Sequence, residues 1–134
     1  MTVLLSDQRA VQTAEDVVAI RQAVRQRAVE LGFNLVDQTK IVTAASELAR
    51  NTLQYGGGGT VTIEAIEELG RRGIRLTFAD EGPGIPDVEL AMKDGFTTGG
   101  GLGLGLSGAR RLSNDFRIDS RPGAGTRVTI TRWR

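Results

Sequence analysis

Ser46-Glu47-Leu48-Ala49-Arg50-Asn51 is the stretch on which the reading of this chain turns. Around it, Ile41, Val42, Ala45, Leu48, Ala49 and Leu53 recur with the period of an α-helix and define one buried face. Glu47 and Asn51 stand four residues apart, so their side chains lie one turn above each other. At about 100° per residue, both point away from the apolar stripe. A carboxylate and a carboxamide on one rigid helix could serve a metal ion and a proton transfer. They could equally face water, and the remainder of the chain has to decide.

Asn34 and Asp37 carry the cap signature that opens this helix, which runs to about Tyr55 before Gly56-Gly57-Gly58-Gly59 breaks it. Upstream, Thr13 and Asp16 fit a capping box, and Val17, Ile20, Val24, Ala28 and Leu31 mark the buried stripe of an earlier helix that Gly32 stops. Arg21, Arg25 and Arg27 lie off that stripe, on a solvated or partner-facing surface. Val3-Leu4-Leu5 predicts a short strand at a sheet edge. Downstream, residues 60–66 are β-branched and roughly alternating, Gly70-Arg71-Arg72-Gly73 signals a turn, and Ile74, Leu76 and Phe78 alternate on the return. These two strands predict an antiparallel hairpin with Asp80 at its end.

From residue 81 to 105 the pattern dissolves into Gly, Pro and Thr, with a short helix expected over 88–93. So long a weakly patterned stretch in a small domain predicts a functional loop. A helix over 104–112 follows. A strand pair over 116–120 and 127–131, joined by Arg121-Pro122-Gly123-Ala124-Gly125, closes the chain. The order β-α-α-β-β-loop-α-β-β predicts an α+β two-layer sandwich with its helices grouped on one face of a mainly antiparallel sheet.

Bulk composition narrows the chemistry. At 134 residues the chain suits one domain, residues 1–134. A formal net charge of +1 gives no global field for nucleic acid or anionic membrane, and neither is expected as a partner. Cysteine and histidine are both absent, which excludes disulfides, thiolate chemistry, imidazole bases and imidazole metal ligands. The first residues lack the pattern of a leader, and no run approaches the roughly 18 apolar residues of a membrane span, so a cytoplasmic protein is expected.

The anomaly is glycine, 18 residues, most of them gathered in clusters at 56–59, 82–84 and 95–108. Gly103-Leu104-Gly105-Leu106-Ser107-Gly108 matches G-x-G-x-x-G. A dinucleotide site, however, needs a strand immediately before that motif and an acid about twenty residues beyond it, and neither is present. A P-loop is excluded as well, because the only lysines are Lys40 and Lys93. The H-R-D and D-F-G segments of eukaryotic-type protein kinases do not occur. Gly99 to Gly105 runs straight into a helix, whose first free N–H groups favour an anion, so a lid over phosphates and a plain surface loop both remain open.

Taken together, Glu47-x-x-x-Asn51, Asp80-x-Gly82-x-Gly84, Gly99-x-Gly101-Leu102-Gly103-Leu104-Gly105 and Gly125-Thr126 stand in the order of the motifs of the GHKL ATP-binding (Bergerat) fold, the superfamily of gyrase, Hsp90, histidine kinases and MutL. Within it, Ser46 to Asn51, Phe96-Thr97-Thr98-Gly99-Gly100-Gly101-Leu102-Gly103 and Arg121 to Thr126 resemble the small bacterial serine-protein kinases of the RsbT type, which belong to partner-switching systems. The resemblance covers nearly the whole chain. It implies a two-layer sandwich with a mainly antiparallel mixed sheet, and ATP and Mg²⁺ as cofactors.

Site roles follow from the resemblance residue by residue. Asp80 would accept a hydrogen bond from the adenine amino group, Gly82 and Gly84 would let the backbone pass close to the base, and Thr126 would support the adenine site. Thr97, Thr98, Gly99, Gly100, Gly101, Leu102, Gly103, Leu104 and Gly105 would form the nucleotide lid. Asn51 would present its amide oxygen to Mg²⁺, and Glu47 would orient or deprotonate the attacking hydroxyl. Histidine kinases of the superfamily carry a basic residue or His three positions after the Asn, where this chain has Gln54. With no His present, the phosphoryl acceptor is expected on another protein. Arg50 and Lys93 could add positive charge near the phosphates or simply face solvent. By the same resemblance the acceptor is a Ser or Thr of a STAS-domain antagonist or scaffold protein, and the released kinase activates a PP2C-type phosphatase. The alternative is an anti-sigma factor that sequesters a sigma factor and phosphorylates its antagonist.

Overall fold

The computed structural model describes residues 1–85, 88, 92 and 105–134. Along the chain run β1 (Thr2–Val11), α1 (Ala14–Glu30), α2 (Leu35–Gln54), β2 (Gly59–Glu68) and β3 (Arg71–Asp80), then α3 (Gly105–Arg111), β4 (Asp115–Ser120) and β5 (Thr126–Trp133). One five-stranded sheet has the order β1-β2-β3-β5-β4. Its four pairings are all antiparallel, so the mixed sheet implied by the resemblance resolves, among the described residues, into a purely antiparallel one.

Both long helices start where capping chemistry allows. The Thr13 side chain accepts from Asp16 N–H, and the Asp16 carboxylate returns to the Thr13 backbone, a complete capping box. Asn34 accepts from Asp37 N–H at 2.8 Å and opens α2. Helix α2 then buries Ile41, Val42, Ala44, Ala45, Leu48 and Ala49. They meet Val61 and Ile63 of β2, Leu76 and Phe78 of β3, and Val128 and Ile130 of β5, together with Ile20 and Val24 of α1. α1 and α2 therefore pack on one face of the sheet, and α3 joins the same core through Ala109. The other face carries half-buried polar residues, among them the cross-strand pair Arg75 Nε–Glu64 Oε1 at 2.8 Å.

Two expectations need correction. β1 extends over ten residues instead of three, because alternation betrays a strand only where one face is buried. Here Ser6 to Arg9 show little burial on either face and still pair with β2 from Ala10↔Thr60 to Val3↔Ile66. The β2–β3 turn is not Gly70 to Gly73 but the two residues Leu69-Gly70, with Glu68 already paired to Arg71. Both turn residues have positive φ, 51° and 79°, as a tight hairpin that follows the strand twist requires. Gly73 belongs to the strand, where Trp133 of β5 lies over it so closely that a Cβ would stand 2.7 Å from the indole ring.

Arg132 ties the C-terminal strand to the helical layer. Its guanidinium reaches Asp37 Oδ1 at 2.6 Å and donates to the Leu112 carbonyl at 3.0 Å, just beyond α3. That fork fixes the end of α3 relative to the start of α2. The helix expected over 88–93 lies outside the described residues except for Val88 and Met92, where Met92 N–H donates to the Val88 carbonyl at 3.0 Å. No helix among the described residues is long and apolar enough to cross a membrane.

Candidate functional site

Backbones crowd together at the end of the sheet where β3 stops. A Cβ on Gly59 would stand 2.0 Å from the Ala79 carbonyl oxygen, and one on Gly125 would stand 2.2 Å from the Asp80 carbonyl oxygen. Gly125 also has φ +84°, which disfavours any side chain. Gly84 has φ +77°, and a Cβ there would lie 2.0 Å from the Arg121 carbonyl. Only glycine lets these segments meet, and their meeting is what frames a cavity of about 890 Å³. Its volume falls in the range of small-molecule sites.

Asp80 lines this cavity with Gly125 and Thr126. One carboxylate oxygen of Asp80 accepts from Gly82 N–H at 2.9 Å. The other lies where Gly56 has no side chain, 2.5 Å from the position a Cβ would take. The carboxylate is thus held in one orientation by the backbone on both sides. An ionised carboxylate only accepts hydrogen bonds, so this group is suited to an N–H donor of a ligand. Gly82 in turn packs on the Gly56 backbone, with 2.7 Å between a would-be Cβ and Gly56 Cα.

Helix α2 reaches the same corner through its last turn. The Asn51 carbonyl accepts from both Tyr55 N–H at 2.9 Å and Gly56 N–H at 3.2 Å, so the turn that carries Asn51 delivers Gly56 to Asp80. Among the described residues, neither Glu47 nor Asn51 is part of the cavity wall around Asp80. Both are half-buried, and Glu47 is paired with Arg50 on its own helix at 3.1 Å. Arg50, which could have approached phosphates, is instead more than half exposed in that pair. The expected lid residues 97–104, with Lys93, lie outside the described residues; Gly105 is the first residue of α3.

Sequence reasoning missed Ser120 and Gln12. Ser120 accepts from Ile85 N–H at 2.7 Å, donates to the Gly125 carbonyl at 3.2 Å, and lies 2.8 Å from the Thr126 hydroxyl. Gln12 reaches the Gly59 carbonyl from the end of β1 at 3.4 Å. A small hydroxyl residue directly before the Gly-rich turn was the available signal for Ser120. Gln12 carried none, since the capping box beside it marks a helix start and not a site.

A sandwich of this topology, with a carboxylate at the end of a central strand and glycine contacts around it, defines a class. Residues 36–133 match the family described as histidine kinase-, DNA gyrase B- and HSP90-like ATPases, and the chain belongs to that family. In sequence it is 47% identical over 131 residues to the serine/threonine-protein kinase RsbT of Bacillus subtilis, covering 96% of this chain and 98% of that one. It is 31% identical over 119 residues to the anti-sigma F factor of a Thermoanaerobacter species, covering 84% of this chain and 82% of the relative. Among solved structures, the SiaB–SiaC complex of Pseudomonas aeruginosa is similar in fold, with a TM-score of 0.55 at 15% identity over 98% of this chain and 91% of that one.

Proposed function

We propose that this chain, with residues 1–134 acting as one domain in the bacterial cytoplasm, is an ATP-dependent protein-serine/threonine kinase. Its acceptor is a Ser or Thr of a STAS-domain antagonist protein in a partner-switching stress pathway, and the kinase released by that transfer activates a PP2C-type phosphatase. The observation that carries the reading is the 47% identity to the Bacillus subtilis kinase over 96% of the chain. The orientation of Asp80 at the cavity is consistent with it.

In this reading Asp80 accepts the adenine amino group, with Thr126 beside it, and Gly82 and Gly84 bring the backbone against the base. Residues 97–105 close over the phosphates. Glu47 orients the acceptor hydroxyl and takes its proton as the hydroxyl oxygen bonds to the γ-phosphorus and the bond to ADP breaks. A magnesium ion suits the donor set. Among the described residues no cluster of three or more His, Cys, Asp or Glu could hold a metal alone. Magnesium, which keeps several waters and takes few protein oxygens, needs no such cluster. The Asn51 amide oxygen is the protein ligand we assign, and the bound ion supplies charge neutralisation across the phosphates.

The test mixes the protein, γ-labelled ATP and Mg²⁺ with the STAS-domain proteins encoded beside its gene. Label is expected on one of them and is lost with Asn51→Ala. Glu47→Gln lowers turnover about 10²- to 10⁴-fold while ATP affinity holds. Nucleotide binding with no labelled acceptor would overturn the kinase assignment. The similarity to anti-sigma F factors favours a second reading, sequestration of a sigma factor with phosphorylation of its antagonist. Co-purification with a sigma factor instead of a phosphatase would select it.

A further inference from the structure

We infer that Ser120 is a positioning residue for nucleobase selection, acting through the Thr126 hydroxyl; the inference rests on the ATP-binding reading above. Ser120 Oγ accepts the Ile85 N–H at 2.7 Å, so its oxygen already serves the segment that follows Gly84. A serine hydroxyl has one proton to give. The Gly125 carbonyl, 3.2 Å away, can only accept; it also takes the Arg121 N–H at 3.4 Å, and to it we assign the Ser120 proton. Either hydroxyl could donate across the 2.8 Å between Ser120 and Thr126; with the Ser120 proton on Gly125, Thr126 is the donor.

With its proton committed to Ser120, Thr126 offers lone pairs and no proton to the cavity that both residues line. Asp80, on the same wall, is likewise an acceptor. Two acceptors match a purine edge that carries an amino group, directly or through one water. They mismatch an edge that carries a carbonyl oxygen, which would need a donor. To serve such an edge, Thr126 would have to reverse its bond to Ser120, leaving the Gly125 carbonyl with the 3.4 Å Arg121 N–H alone. Ser120 therefore sets the sense of a hydroxyl it neighbours.

Isothermal titration of ATP and of inosine triphosphate, which differ at the 6-position, tests this in the full-length protein. Ser120→Ala is expected to weaken ATP binding about fivefold, the loss of roughly one net hydrogen bond, while inosine triphosphate binding changes much less. Its KM for ATP should rise with kcat little changed. Ser120→Thr, which keeps the hydroxyl, should retain wild-type discrimination. In a Thr126→Val background the Ser120→Ala effect should vanish, because the hydroxyl through which it acts is gone.

Unchanged discrimination in a folded Ser120→Ala protein, or the same loss with and without the Thr126 hydroxyl, would overturn the inference while leaving the ATP reading intact. If Ser120→Ala does not fold, loss of discrimination in Ser120→Thr would overturn it instead. A wild-type protein that binds neither triphosphate would overturn both readings together.

Discussion

The β2–β3 ladder has two ends, and glycine does a different job at each. At the cavity end, Gly59 has an ordinary φ but no room: a Cβ would stand 2.0 Å from the Ala79 carbonyl. At the hairpin end, Gly70 has room on every side, with nothing within 4 Å, but a φ of +79°. One glycine permits contact; the other permits a dihedral. The first end holds Asp80 in a fixed pose beside a cavity, and the turn at the second end faces solvent, with Leu69 98% exposed. Glycine is packed closely near both ends, since Gly73 lies under Trp133, but the tightest contacts with backbone are where a ligand is expected, and Gly59 and Gly70 should answer mutation differently.

Gly59→Ala should cause the largest loss. The added methyl meets backbone, not a movable side chain, and overpacking of this kind costs about 2–3 kcal/mol. Because Ala79 is followed directly by Asp80, ATP affinity should fall in step. Chemical denaturation and calorimetry on the same sample check both. A variant that lost stability yet bound ATP normally would separate the packing from the site.

Asp80→Asn comes next. Its side chain keeps an acceptor for Gly82 N–H but replaces one carboxylate oxygen by a donor. Loss of a hydrogen bond to a charged group should lower ATP affinity about 10- to 100-fold, with stability changed by less than about 1 kcal/mol. Titration of ATP into the variant measures the first and its melting curve the second. Equal loss of stability and affinity would mean that Asp80 is a turn former and not a ligand group.

At the hairpin end, Gly70→Ala should cost about 1 kcal/mol, the strain of a left-handed residue with a side chain, and leave ATP affinity untouched. Leu69 already bears that strain at φ 51°. Leu69→Asn should therefore raise stability by about 0.5 kcal/mol, since Asn-Gly suits a turn with two positive φ values. Urea midpoints for the pair test the sign. A change in ATP affinity with either variant would show that the two ends are not independent.

Local physics made most of the elements legible. Thr13 with Asp16 and Asn34 with Asp37 announced both long helices, because a cap is satisfied by residues three apart and needs nothing distant. The buried stripe of α2 was readable from its period, and Ile74, Leu76 and Phe78 from theirs, since one face of each is covered. β1 was only partly readable. An edge strand exposed on both sides has no hydrophobic alternation to display, and its length is set by pairing with β2. The hairpin turn was misplaced by the same logic: Gly73 looked like a turn residue but is a strand residue beneath Trp133, a partner sixty positions away along the chain.

The chemistry of the site divides in the same way. Residue types and their order along the chain, matched to the motif order of the GHKL fold, marked Asp80, Gly82, Gly125 and Thr126 as candidates. That Gly59 and Gly56 are contact glycines, that Ser120 stands against Thr126, and that Glu47 pairs with Arg50 instead of lining the cavity around Asp80 all depend on what folding brings alongside. Sequence by itself determined the caps, the apolar periods and the kinds of acceptor available, because each is settled within a few bonds. Tertiary structure alone decided which backbones touch and which hydroxyls stand within bonding distance, because contact distance is a property of neighbours in space.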